Sequence, residues 1–210
     1  MDILRFVPTI VEADAVVHRF GRRSVRAPFS VEMIHLPHVL FRYRVSWAPL
    51  RGNPKSAEGL FGTDLVQGRP MNISKAVKFE MADALRNELA SLVSLLDPPK
   101  PKRVVGIERL DIPDDRLLPA VLEESQAVEN ARSVFKYDLM RLVGGFRVRS
   151  MEIKPLPGAR TIYYPFWLVY FRDKKGAMGF DPFDAVSGER ERGDVARSIK
   201  IALLKKNGKI

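Results

Sequence analysis

The strongest constraint in this chain is that it repeats itself. Aligned at a constant offset of 120, residues 32–70 match residues 152–190 without a gap. The coincidences include Glu32/Glu152, Leu36/Leu156, Pro37/Pro157, Tyr43/Tyr163 and Trp47/Trp167. They continue through Ala57/Ala177, Gly59/Gly179, Asp64/Asp184, Val66/Val186 and Gly68/Gly188. Unrelated segments of this length would share about two or three identities by composition. Self-similarity of this kind means that one supersecondary unit was used twice.

The flanks agree in type. Thr9-Ile10-Val11-Glu12 has the form of a capping box, predicting a helix that runs to Arg19–Phe20 and stops at Gly21. In the second half, Leu122, Val128, Phe135, Leu139 and Leu142 recur at helical spacing after Pro119 and before Gly144-Gly145. Each unit then closes with a second helix. Val77, Met81, Leu85, Leu89, Leu92 and Leu96 form one stripe, and Val195, Ile199, Ala202 and Leu203 form another behind an Asp194 N-cap. Lys205, Lys206 and Gly208 suit the end of that last helix.

Between the helices the period changes to two. Phe41, Tyr43, Val45 and Trp47 alternate with Arg42, Arg44 and Ser46, which predicts a strand with one dry face. Leu36-Pro37 and Leu156-Pro157 suggest breaks, and the runs 64–68 and 184–188 read as a last strand entering a glycine turn. The expected fold is therefore α+β, two tandem repeats over residues 1–96 and 119–210. Each is a helix, a three-stranded antiparallel meander and a closing helix. Residues 97–118 form a proline-rich connector, with a possible extra strand at 104–112 ended by Pro113-Asp114-Asp115.

The copies differ in the character of one strand. Where the first has Arg42, Arg44 and Ser46, the second has Ile162, Tyr164 and Phe166, followed by Leu168 and Tyr170. A strand apolar on both faces must be covered twice or offer one face to a partner. Ile162, Tyr164, Phe166, Leu168 and Tyr170 are accordingly the candidate surface for a protein partner or homodimer. Pro165 lacks a ladder donor and suggests an edge or a bulge there.

The second copy resembles a PepSY-type module of the broader cystatin-like architecture. The likeness rests on the helix ending in Gly144-Gly145 and on Asp184-Ala185-Val186-Ser187-Gly188-Glu189, similar to the family's Asp-Ala-x-Thr/Ser-Gly strand and turn. It covers residues 120–192, and 8–70 more weakly. It implies a small sheet curled over a helix and a role in binding or restraining other proteins. The first copy departs from it, having Asp64-Leu65-Val66-Gln67-Gly68.

Little here points to catalysis. The chain has no cysteine, which removes thiolate chemistry, disulfides and sulfur-bound zinc. Its three histidines, His18, His35 and His38, lack a second-copy counterpart and are expected at the surface or in local hydrogen bonds. Asp181 and Asp184, beside Pro182-Phe183, and Asp111, Asp114 and Asp115 read as turn residues. Gly52-Asn53-Pro54-Lys55-Ser56 lacks the setting of a phosphate loop. No enzyme activity, cofactor or metal is expected.

Charge supports a second class of function. Lys and Arg number 35 against 25 acidic residues, a net charge of +10. Arg19, Arg22, Arg23 and Arg26 form one cluster, and Arg172, Lys174 and Lys175 another. Brought together by folding, these would bind nucleic acid or an anionic surface. No apolar run is long enough to span a bilayer, and Met1–Pro8 lacks the pattern of a signal peptide, so a cytoplasmic protein is expected.

Overall fold

The computed structural model describes residues 2–7, 11–23, 27–72, 77–81, 103–142 and 148–209. It is an α+β fold. Strands β1 (Asp2–Val7), β2 (Pro28–Pro49), β3 (Lys55–Asp64), β4 (Pro70–Asn72) and β5 (Val77–Met81) come from the first half. They are joined in one curled sheet by β6 (Arg103–Asp111), β7 (Val148–Pro155), β8 (Arg160–Arg172) and β9 (Met178–Asp184). The described helices are α1 (Ala13–Arg23), α2 (Glu124–Leu142) and α3 (Asp194–Lys206), with a single 3-10 turn at Asp114–Arg116.

The sheet runs β4-β3-β2-β8-β1-β6-β5, with β7 beside β2 and β9 beside β8. Most of it is antiparallel, but β1 meets β8 in parallel through Arg5 and Tyr163, and β5 lies parallel to β6. Odd-numbered side chains of β2 and β8 look one way, even-numbered ones the other. Phe41, Tyr43 and Val45 meet Ala127, Ala131 and Phe135 of α2. Val169 and Phe171 meet Val16 and Phe20 of α1. On the opposite face Ile34, Leu36, Phe166 and Leu168 lie under Ile199 and Ala202 of α3. Each Val, Leu, Ile or Phe among them, fully buried, contributes roughly 1.5–3 kcal/mol.

Several expectations are corrected. The strand β2 is continuous through Leu36-Pro37, so the meander of the first half is β2-β3-β4 rather than strands divided at that proline. In the second half β7 pairs with β2 rather than with β8, which leaves only the β8–β9 hairpin. Val77–Met81 is a strand beside β6, not the start of a helix, and residues 82–96 lie outside the described residues. The extra strand in the connector is present as β6. Helix α1 continues past Gly21 to Arg23, because Gly21 does not take the left-handed conformation that a glycine stop requires. Asp194 sits just inside α3 rather than capping it, and Gly193 holds the cap position. The Thr9 box and Gly144-Gly145 lie outside the described residues.

Pro165 stands in an interior strand, with β2 on one side and β9 on the other. Its carbonyl accepts from Ala185 N at 3.3 Å, on the β9 side, so its missing N–H also falls on that side. The β8–β9 ladder has already ended there at Phe166–Asp184, and no donor is needed. Pro37 repeats the device: its carbonyl accepts from Leu65 N at 2.9 Å, where the β2–β3 ladder ends at His38–Asp64. Proline is tolerated in both central strands because each occupies the residue where pairing on one side stops.

The register relates the two hairpins. In the β2–β8 ladder Leu36 faces Tyr164, His35 faces Pro165 and Pro37 faces Tyr163. Residues 128 apart (164 − 36) thus exchange places about a local two-fold. The turns that follow are 120 apart (184 − 64). Trp47 faces Lys55 whereas Trp167 faces Phe183, so the two tryptophans are not equivalent and the gapless alignment fails in the strands. The cause is hairpin length. From His38 to Asp64 is 26 residues, and from Phe166 to Asp184 is 18.

Candidate interaction surface

The five residues singled out on β8 do not form an open face. Ile162, Phe166 and Leu168 are buried, and Tyr164 and Tyr170 are half-buried. The covering comes from the chain itself. Ile199 and Ala202 of α3, together with Leu118, close over Phe166 and Leu168, while α1 closes the other face of β8. The second strand is apolar on both sides because it is central and has helices on both sides. The expected partner surface is corrected accordingly: its middle is core.

Its outer end is different. Beyond Tyr170, Phe29 is 52% exposed and Met178 64% exposed. The Phe29 ring lies 6.4 Å from Tyr170, and Tyr170 lies 6.2 Å from Phe180 across the β8–β9 pair. The Arg172 guanidinium stands 5.9 Å from the centre of the Phe29 ring, within reach of a cation–π contact. Arg172 itself faces Met178 in the ladder. Sequence periodicity placed Tyr170 here but missed Phe29 and Met178. Phe29 precedes the region of matched sequence, and Met178 faces Glu58 in the alignment rather than an apolar residue.

The loop that closes this end is pre-organised. Asp173 Oδ1 accepts from the amides of Lys175 at 2.8 Å and Ala177 at 2.9 Å, and Gly176 takes a positive φ of 80°. With its carboxylate turned into the loop, Asp173 leaves Lys174 and Lys175 exposed at the tip. Glu32 accepts from the Tyr170 hydroxyl at 3.1 Å. Desolvation, with Glu32 beside it, pushes the Tyr170 phenol up to about 12.

The basic clusters are not brought together. Helix α1 lies on the face opposite α3, and Arg19 donates to the Ser187 carbonyl at 2.8 Å, at the far end of β9 from the tip. Arg22 and Arg23 lie in the last turn of α1, while Arg26 lies outside the described residues. Arg172 follows Tyr170 on the face of β8 that α3 covers, Lys174 and Lys175 are exposed in the turn beyond it, and α3 carries exposed Arg197 and Lys200.

Two polar clusters are built on the aspartates that end β3 and β9. Asp64 Oδ1 accepts from Val66 N at 3.0 Å, Gln67 N at 2.6 Å and Ser198 Oγ at 3.2 Å. Gln67 Nε2 donates to Ser198 Oγ at 2.6 Å. The second turn repeats the pattern: Asp184 Oδ1 accepts from Val186 N at 2.7 Å and Ser187 N at 3.0 Å, and the Tyr164 hydroxyl donates to the same carboxylate at 3.0 Å. Gly68 and Gly188 close the turns with φ of 69° and 64°. His38 lies 6.0 Å from the Tyr164 ring and donates through Nδ1 to the Leu36 carbonyl at 2.9 Å. Burial depresses the His38 pKa, opposed by that bond and by Asp64.

His18 is exposed and His38, though buried, makes a local hydrogen bond, as expected, while His35 is buried rather than at the surface. Asp181 pairs with Arg190 at 2.5 Å. These carboxylates hold turns and strand ends, and among the described residues no group of three potential ligands gathers for a metal. No described helix is long and apolar enough to cross a membrane. No family model, no curated protein and no solved structure matches this chain.

Proposed function

We propose that this protein is a non-enzymatic binding module that engages an anionic partner with the outer end of the β8–β9 hairpin. The observation that carries this reading is the exposure of Phe29 and Met178 directly beside Arg172 and the Lys174-Lys175 loop. Aromatic contact area with a basic rim is the composition of a docking surface. Arg172, Lys174 and Lys175 outnumber the nearby carboxylates of Asp173 and Glu32, which are turned to internal donors. The partner-protein reading and the anionic-surface reading of the sequence converge on this one place.

The module itself we read as a duplicated hairpin and turn. The matched capping of Asp64 and Asp184 and the crossed register about Leu36 and Tyr164 support that origin. The likeness of the second turn to the PepSY signature fits a binding role.

Retention on a dextran sulfate column tests the proposal. Replacing Arg172, Lys174 and Lys175 together by Gln should lower the eluting salt concentration markedly, because each lost contact reduces the salt dependence. Replacing exposed Lys136, Arg149 and Arg160 by Gln should change it little. No retention of the parent at low salt, or equal loss in both variants, would overturn the reading.

A further inference from the structure

Resting on that reading, we propose that the anionic partner is a lipid bilayer surface, with Phe29 and Met178 seated at the boundary between headgroups and acyl chains. Three observations lead there. The exposed apolar groups stand at a hairpin end beside a loop whose residues 174–177 are all exposed, a projection rather than a socket. Such a shape inserts into a soft surface. The cations stand in two groups, Arg172, Lys174 and Lys175 at the hairpin tip and Arg197 and Lys200 exposed on α3. A planar anionic surface meets all of them at once.

The aromatic group also argues against a nucleic acid. Phe29 and Tyr170 are tilted by 39° with centroids 6.4 Å apart, and Arg172 already stands over Phe29. No open pair of parallel rings is offered for bases to stack on. Phe29 and Met178 flank Arg172 from the two neighbouring strands, and apolar side chains with Lys and Arg around them suit a membrane interface.

Co-sedimentation of the full chain with vesicles tests this. Vesicles of phosphatidylcholine with 30% phosphatidylglycerol should bind the protein, and pure phosphatidylcholine vesicles should not (about 30% anionic lipid sets the surface potential). Replacing Arg172, Lys174 and Lys175 by Gln should weaken binding on the order of a hundredfold, at roughly fivefold per cation. Phe29→Ser with Met178→Ser should weaken it at least tenfold. A Met178→Trp variant should shift its emission to the blue on the anionic vesicles alone, which reports insertion without depending on a loss. Retention on dextran sulfate with no vesicle binding would overturn the bilayer proposal while leaving the anionic-partner reading intact. Vesicle binding unchanged by the Phe29/Met178 pair, with no shift in the Trp variant, would also overturn it. Failure on both dextran sulfate and vesicles would remove both.

Discussion

The Tyr43 ring lies directly over Gly59 of the neighbouring strand, in the space where any other residue would place its Cβ. The Phe171 ring lies over Gly179 in the same way, its nearest ring carbon 2.9 Å from a Cβ built there. Gly59→Ala should therefore destabilise the fold by about 1–3 kcal/mol, as overpacking does. Gly179→Ala should follow in the same direction. Urea unfolding measures both, and Gly52→Ala would be the wrong control because Gly52 has φ of 96°. Gly21→Ala is the proper one, since its Cβ would meet nothing within 4 Å and a helical site favours Ala.

Asp64 takes Val66 N, Gln67 N and the Ser198 hydroxyl in its turn. Asp64→Ala should cost about 2–3 kcal/mol, because charge-assisted bonds are lost and buried amides are left open. Arg69 and Asp194 form an ion pair whose side chains are half exposed, at 51% and 47%. Breaking it with Asp194→Ala should cost about 0–1 kcal/mol. Thermal unfolding of the two variants side by side checks the contrast.

Thr63 Oγ1 is buried and has no hydrogen-bond partner among the described residues. Thr63→Val keeps the shape and removes the stranded hydroxyl, so it should raise stability by roughly 1 kcal/mol. Position 183, its counterpart 120 residues on, already holds buried Phe. A higher midpoint in urea with an unchanged slope is the expected result.

His38 gives the fold a pH dependence of definite sign. Its folded pKa lies below the ordinary 6.5 because burial disfavours the imidazolium. The unfolded chain then binds a proton that the folded chain refuses as pH falls below about 6.5. Stability contributed by the neutral ring is full above that value and declines below it. His38→Gln should flatten the profile between pH 6.5 and the folded pKa, followed by urea midpoints across that range. Tyr170 acts at the other end: with its pKa raised to about 12, its contribution is full below 10 and falls as pH rises through that interval, an effect absent in Tyr170→Phe.

Much of the local structure was legible in the sequence because it is locally caused. The alternation over Phe41–Trp47, the helix over Glu124–Leu142 and the glycine turns at 68 and 188 were all read from spacing and residue type. What failed was pairing. No local signal says that β7 joins β2, since its partner is chosen by the whole sheet. The Val77–Met81 stripe suited a helix and a strand equally, and alignment beside β6 decided it. The apolar run at 161–171 carried correct information about two dry faces. It could not say that α1 and α3 supply both coverings, because those contacts span more than a hundred residues in one case. For the same reason exposed Phe29 and Met178 went unseen, since only the fold brings them to the two sides of Arg172.

Helix α1 precedes the first hairpin yet lays Phe20 against Phe171 and Phe183 of the second, while α2 precedes the second and lays Phe135 against Tyr43 and Phe61 of the first. Each half therefore wears the other's lid. A polypeptide divided between residues 82 and 102 would yield two fragments that are each incomplete when alone. Mixed, they would restore one another by complementation, and their recovery of a cooperative transition would depend on concentration as that of a heterodimer does.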